Sequence, residues 1–484
     1  MKMLSKKAVQ RLLSVLMIFA LCISVGVTAQ AVPKIQKEEP FPEGMTEEER
    51  NKEEKKRQKQ IYDMPVQTNE IPNWPQGPGT YGYAGIVMDV DTGAVLYGKN
   101  IDDQHYPASI TKVLTALVAL ENGAAEDPVV FSHDCVSFLQ PGDSAVGLKE
   151  GDKITLEQAL YATLLASGNE AAYAVGENVG KMAGHDYAWF VEQMNLRCKE
   201  LGGTNSNFVN TNGLHDANHY TSARDMALIG RELFKHPEFF KIVQTTEYKI
   251  PKSSTCEEHV FQQKHKMLQP QREAYYKYAV GGKTGFTSDA LSTLITMAEK
   301  GDRRLVCVVL RTRGGIHIYP DTKNLFEYGF DNFEKISVNG QETSEDVEEI
   351  LADESGKTSG YVMLPKGAAF ADLEMKLTED PERSGEAVLT YSYGGNFVGS
   401  ARAKLSQSYL EKHKQKSEKK VTKRKESKKK DKKALGVIDK LKDRSKKEIL
   451  VLAGLTILLM ILILWFFVRI ARCRKKRRKR RRRR

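Results

Sequence analysis

The chain predicts an α+β fold: an antiparallel sheet with covering helices, followed by a small all-β domain and a C-terminal transmembrane helix. Three observations carry this. Hairpin patterns at residues 83–100 and 293–312 flank a helical middle, so the first and last strands can pair in one helix-covered sheet. Short alternating segments crowd residues 361–405. Residues 449–468 (ILVLAGLTILLMILILWFFV) are uncharged and long enough to span a bilayer as a helix.

At the N-terminus, Lys2, Lys6, Lys7 and Arg11 precede the run LLSVLMIFALCISVGV, then Ala29-Gln30-Ala31. Basic, apolar, small-x-small is the order of a secretory signal peptide, 1–31, cut after Ala31. Leu21 before Cys22 is too bulky for a lipoprotein site. Residues 32–75 are charged and poor in apolar side chains, which predicts a mostly disordered spacer.

The main domain is expected over 76–338. YAGIVMDVDTGAVLYGKN is a hairpin turning at Asp91-Thr92-Gly93. PASITKVLTALVAL (107–120) reads as a helix. Thr155-Leu-Glu-Gln158 is a capping box opening the helix ALYATLLA. EAAYAVGENVGKMA and SARDMALIGRELFKHPEFF predict two more helices, the latter opened by Thr221 or Ser222. TLITMAEKGDRRLVCVVLRT gives two strands around Lys300-Gly301-Asp302, and DTKNLFEYGFDNF a closing helix. The β domain is assigned to 339–406, a Lys-rich linker to 407–448, and a basic tail to 469–484.

The formal charge of +12 is unevenly spread. Roughly 13 basic residues lie in the tail, a net of about +11 in the linker and about +4 in the signal, leaving the body near −16. Bases on both sides of a membrane span fit anionic lipid headgroups, and nucleic acid is not expected as a partner. The positive-inside rule puts the tail in the cytoplasm and the body outside. The expected location is thus the cell membrane, single-pass, with the main domain extracytoplasmic. Cys135, Cys198, Cys256 and Cys307 would face outward, with no CxxC or regular spacing. The ten histidines form no HExxH-type cluster, so neither a metal nor a cofactor is expected.

Three short motifs carry chemistry. Ser109 and Lys112, three apart on a helix, share a face. Around Lys112 lie Ala108, Thr115, Ala116 and Ala119, while the bulky residues lie on the other side. Either this is a serine cap with a solvated lysine, or a nucleophile with a desolvated base. Ser167-Gly168-Asn169 is either an interhelix turn or a hydroxyl and amide projected into a cleft. Lys283-Thr284-Gly285 ends an apolar, glycine-rich strand, where a cation, a hydroxyl and an approachable backbone suit a carboxylate.

Taken together, Ser109-Ile-Thr-Lys112, Ser167-Gly-Asn169 and Lys283-Thr-Gly285 resemble the motifs of the serine penicillin-recognising enzymes. The Ser-Gly-Asn form is similar to the low-molecular-weight penicillin-binding proteins that are D-alanyl-D-alanine carboxypeptidases. FVNTNGLHDANHYTSARDMALIG, GGKTGFTSDA and NLFEYGFDNF extend the likeness over roughly residues 80–335. The resemblance implies a β-lactamase/transpeptidase-like fold and residues 340–405 as the family's C-terminal β domain. It implies Ser109 as nucleophile, Lys112 as its base and Ser167 as proton relay. Asn169, Lys283, Thr284 and Gly285 would bind substrate, and the backbone N–H groups of Ser109 and Phe286 would form the oxyanion hole.

Implied ligands are peptidoglycan stem peptides and β-lactams. Relatives often carry an arginine well downstream of the Lys-Thr-Gly lysine, whereas RTRGGIHIYPDT places Arg311 and Arg313 earlier. A class A β-lactamase would carry Ser-Asp-Asn and a Glu-x-x-Leu-Asn loop, which is missing between Asn169 and Lys283. A D,D-transpeptidase or endopeptidase, and an inactive envelope scaffold, are the alternatives to a carboxypeptidase.

Overall fold

The computed structural model describes residues 35, 40–352 and 360–413. The expected signal peptide, transmembrane span and basic tail, and most of the Lys-rich linker, lie outside the described residues. Among the described residues no helix is long and apolar enough to cross a membrane.

Strands β1 (Gly82–Asp89) and β2 (Val95–Lys99) form the first hairpin. The Asp89 carboxylate accepts from the backbone N–H and hydroxyl of Thr92, each at 2.8 Å, and so closes the turn. Helix α1 is Glu47–Tyr62, α2 Lys112–Asn122 and α3 His133–Ser137. Short strands β3 (Pro128–Val130) and β4 (Lys153–Thr155) pair with each other. Helices α4 (Leu156–Leu164), α5 (Asn169–Met182) and α6 (Tyr187–Glu200) follow. Next come α7 (Ala223–Glu232) and α8 (Pro237–Val243), then a hairpin of β5 (Glu247–Ile250) and β6 (His259–Gln262).

Strands β7 (Ala279–Thr287), β8 (Leu291–Lys300) and β9 (Arg303–Thr312) complete a five-stranded antiparallel sheet of order β2-β1-β9-β8-β7, so the first and last parts of the region pair. Strand alternation gives the sheet two apolar faces. Gly230 of α7 packs on Ile295, Met297 and Val306. On the opposite face, Gly329 of α9 (Ile318–Asn332) packs on Val87, Leu96 and Leu305. Helix α2 is buried among α4, α5 and α6, as its near-continuous apolar sequence requires.

Local chemistry explains where the elements start. The Thr155–Gln158 capping box is present, and Ser222 caps α7. The single helix expected over 222–240 is two helices, α7 and α8. Pro237 offers no amide hydrogen and restricts His236, so the chain breaks there and restarts with proline in the first turn.

The stretch 32–75, expected as disordered, is ordered from residue 40 onward, a correction. Thr46 and Glu49 form a reciprocal capping box at α1, and acidic residues fill its first turn. Tertiary contacts then hold it. Buried Lys99 donates to the carbonyl of Ile61 at 2.7 Å, of Thr80 at 2.8 Å and of Gly82 at 3.0 Å. Arg313 pairs with Glu54 at 2.6 Å. Trp74 is buried against Phe333 and donates its indole N–H to the Leu96 carbonyl at 2.9 Å. Low apolar content hides these anchors because they are a cap, an ion pair, hydrogen bonds to backbone carbonyls and a single tryptophan.

Beyond α9 lie β10 (Phe333–Ser337), β11 (Val347–Leu351), β12 (Tyr361–Pro365), β13 (Glu374–Glu379), β14 (Glu386–Tyr393) and β15 (Asn396–Leu405). They make a six-stranded sheet ordered β10-β12-β15-β14-β13, with β11 pairing to β15 off this path. Among the described residues, those up to 343 and those from 349 to 404 belong to one compact unit, within which Asn396 donates to the Val95 carbonyl at 3.2 Å.

Candidate active site

The Ser109 segment differs from a plain helix. Residues Ala108–Thr111 form a 3₁₀ turn and the α-helix starts at Lys112. A 3₁₀ turn eclipses residues three apart, so Ser109 and Lys112 still share a face. Ala108 stands at φ +51°, a left-handed conformation uncommon for a side-chain-bearing residue. Two glycines permit the close packing around it. A Cβ on Gly213 would lie 1.9 Å from the Ala108 carbonyl oxygen, and Gly213 itself has φ +83°. A Cβ on Gly285 would lie 2.9 Å from the Ser109 amide nitrogen. Thr293 of β8 donates to the Pro107 carbonyl at 2.8 Å and holds the turn from behind.

Lys112 is fully buried. Its Nζ lies 3.0 Å from Ser109 Oγ, 2.8 Å from Asn169 Oδ1 and 2.7 Å from the Asn212 carbonyl. Burial pushes its pKa well below the ordinary lysine value, and the nearby Lys283 cation lowers it further, against the weaker pull of Glu170. Ser167, at φ +64°, turns from the end of α4 into α5. Its Oγ accepts from Lys283 Nζ at 3.0 Å, and that ammonium also donates to the Thr284 carbonyl at 2.8 Å. Lys283 is pushed down to about 7, by burial first and by Lys264 second.

Strand β7 is the edge of the sheet, so one row of its backbone groups is unpaired within it. A cleft of about 330 Å³ opens there, lined by Ser109, Ser167, Lys264, Thr284, Phe286 and Tyr319 among others. Gly285 also lines it, while Lys112, Asn169 and Lys283 are buried. All three motifs therefore meet at one place. The lining holds no carboxylate, and its cations, Lys264 and Lys266, suit an anionic ligand. Phe286 is 69% exposed at the rim.

Neither arginine of RTRGGIHIYPDT is given to the cleft. Arg313 is bound to Glu54, and Arg311 lies buried with its guanidinium 5.5 Å from the Tyr83 ring centre. Sequence reasoning missed the cleft residues Lys264, Lys266, Ser144 and Tyr319. Lys264 Nζ donates to Ser144 Oγ at 2.9 Å, a meeting of segments far apart in the chain. The one local signal was QQKHKM, where two lysines flank a buried histidine.

Residues 76–314 match the family model described as D-alanyl-D-alanine carboxypeptidase. The chain is 33% identical over 261 residues to the D-alanyl-D-alanine carboxypeptidase DacB2 of Mycobacterium tuberculosis, covering 53% of this chain and 84% of that one. It is 31% identical over 256 residues to the D-alanyl-D-alanine carboxypeptidase DacF of Bacillus subtilis, covering 52% of this chain and 62% of that one, so it spans less than two thirds of that relative. A solved D-alanyl-D-alanine carboxypeptidase from Mycobacterium tuberculosis is 30% identical with a TM-score of 0.48, covering 54% of this chain and 95% of that chain. With an intact serine–lysine pair at the head of its buried helix, the chain belongs to the D-alanyl-D-alanine carboxypeptidase family of serine peptidases.

Proposed function

We propose that the protein removes the terminal D-alanine from peptidoglycan stem pentapeptides through a Ser109 acyl-enzyme. The observation that carries this reading is the 3.0 Å approach of a buried, desolvated Lys112 to Ser109 Oγ. Neutral Lys112 takes the hydroxyl proton as Ser109 Oγ attacks the carbonyl between the two D-alanines. The developing oxyanion is held by the N–H groups of Ser109 and Phe286, and the terminal carboxylate by Thr284 with Lys283 behind it. Ser167 passes a proton to the leaving D-alanine nitrogen, and Asn169 holds the substrate amide. Water then attacks the ester, giving its hydroxyl to the tetrapeptide carboxyl and its proton, through Lys112, to Ser109 Oγ. A β-lactam acylates the same serine by opening its ring amide.

The reading places this site outside the cell. Residues 1–31 act as an export signal, and residues 449–468 anchor the chain with the basic tail inside.

A fluorescent penicillin tests the nucleophile: it labels the wild-type protein covalently and leaves Ser109→Ala unlabelled. Persistent labelling of Ser109→Ala overturns the assignment. Incubation with a stem pentapeptide then distinguishes reactions. Free D-alanine with tetrapeptide supports a carboxypeptidase, cross-linked dimer a transpeptidase, and neither product with intact labelling a penicillin-binding scaffold.

A further inference from the structure

Away from the cleft, the acidic, thiol and imidazole groups of Asp152, Cys256 and His259 converge, with one donor atom from each lying within 4.8 Å of the others. Cys256 is buried, and Asp152 and His259 are half-buried. The Nε2 of His259 is buried and has no hydrogen-bond partner, an arrangement that costs free energy unless something binds there. One oxygen of Asp152 accepts from the Lys149 amide at 2.7 Å, which orients the carboxylate and leaves the other oxygen available.

We propose that Asp152, Cys256 and His259 form a binding site for a zinc-type divalent cation. Thiolate, imidazole and carboxylate are together a zinc donor set, and zinc bonds of about 2.0–2.3 Å bring such donors to roughly 3.3–3.8 Å apart. Small side-chain rotations from the present spacing reach that geometry. Binding displaces the thiol proton of Cys256, so the dication meets two negative ligands and one neutral imidazole, and the metal with its three ligands carries no net charge. The fourth position is left to water.

The other grouping of this kind among the described residues does not compete. Glu121, Glu232 and His236 surround Arg197, whose guanidinium lies 2.7 Å from each carboxylate and already supplies the positive charge. At the proposed site no such cation bridges the donors.

The site joins two segments that end at the cleft. Asp152 closes the turn before β4, and Cys256 and His259 belong to the β5–β6 hairpin. The two are already stitched by Lys153 N–H to the Thr255 carbonyl at 3.1 Å and by the Thr255 hydroxyl to the Lys153 carbonyl at 3.2 Å. From Asp152 the chain leads back to Ser144, and from His259 forward to Lys264. Those two residues meet at 2.9 Å in the cleft wall. A bound cation therefore clamps the base of the two strands of chain whose tips form that wall. The sequence carried half of the signal, the Cys256-Glu-Glu-His259 spacing, while Asp152 is brought in only by the fold.

The full chain, extracted in detergent and stripped with a chelator, is titrated with Zn²⁺ and with Co²⁺. One Zn²⁺ per chain is expected by metal analysis, and Co²⁺ gives a thiolate-to-metal charge-transfer band with four-coordinate ligand-field absorption. Zinc at about a hundred times its Kd raises Tm by about 3 °C. Cys256→Ser loses the charge-transfer band, and His259→Gln weakens binding at least about tenfold. Cys198→Ser, a buried thiol elsewhere, keeps both. Failure of the wild-type chain to bind stoichiometric Zn²⁺, a cobalt spectrum without thiolate, or unchanged loading of Cys256→Ser overturns the proposal. If Cys256→Ser does not fold, the wild-type cobalt spectrum and the His259→Gln titration decide it.

Discussion

Lys112 Nζ stands 3.0 Å from Ser109 Oγ while the Asn169 side chain and the Asn212 carbonyl occupy its other directions. A neutral amine has two hydrogens and one lone pair. With the hydrogens given to Asn169 and Asn212, the lone pair faces the serine hydroxyl. Arginine at this position would remain protonated and could not accept that proton. Lys112→Arg is expected to slow penicillin acylation by at least about 10³-fold, read by stopped-flow fluorescence. Acylation near the wild-type rate would exclude Lys112 as the base.

The two buried lysines also set a pH profile. Acylation needs Lys112 neutral, so the rate rises with pH through a pKa well below the ordinary lysine value. Carboxylate binding needs Lys283 charged, and in the free enzyme that charge is lost as pH rises through about 7. For a peptide with a free C-terminal carboxylate, kcat/KM is expected to be bell-shaped, with its descending limb near pH 7. An amidated peptide should lack the descending limb. Identical limbs for both peptides would remove Lys283 from carboxylate binding.

Stability carries the same signature with a definite sign. Between about pH 7, where Lys283 deprotonates in the fold, and about 10.4, where it does so unfolded, only the unfolded chain holds the proton. Stability from this group therefore rises with pH across that window, and below pH 7 the fold bears the full cost of the buried charge. Lys283→Met should raise Tm at pH 6 and flatten the rise, while lowering acylation by about 10²-fold or more. A fall in Tm for Lys283→Met would mean that its bonds to Ser167 and Thr284 outweigh desolvation.

Gly213 meets the strained Ala108 carbonyl with no room for a side chain. Gly213→Ala forces a displacement of the serine turn and places alanine at φ +83°. It should destabilise by about 2 kcal/mol or more and reduce the labelling rate together with Tm. Wild-type labelling kinetics in a folded Gly213→Ala protein would show that the turn tolerates movement.

The N-terminal helix gives a local test. Thr46→Ala removes the side-chain acceptor for the Glu49 amide while leaving the residue-46 N–H to donate to Glu49, and is expected to cost about 1 kcal/mol of local helix stability, seen as faster amide exchange over 47–53. Penicillin labelling should be unchanged, because α1 touches no cleft residue named above.

Legibility followed the range of the interactions. The Asp91-Thr92-Gly93 turn, the Thr155 capping box and the β8–β9 hairpin are written in adjacent residues, so they could be read directly. Helix α1 could not be read from composition. Its start was legible in Thr46 and Glu49, but its order also needs Lys99 and Arg313, far along the chain. Lys264 and Ser144 carry no motif, and only folding makes them neighbours.

By itself the sequence determined the chemistry available: a serine with a lysine one turn on, a Ser-Gly-Asn turn, and a cation–hydroxyl–glycine strand end. Tertiary structure alone decided what that chemistry becomes. It sealed Lys112 from water beside a second cation, turned Arg311 and Arg313 away from the cleft, and drew Asp152 to Cys256 and His259. Residue type and turn geometry are local properties, whereas desolvation and distance depend on which remote segments pack together.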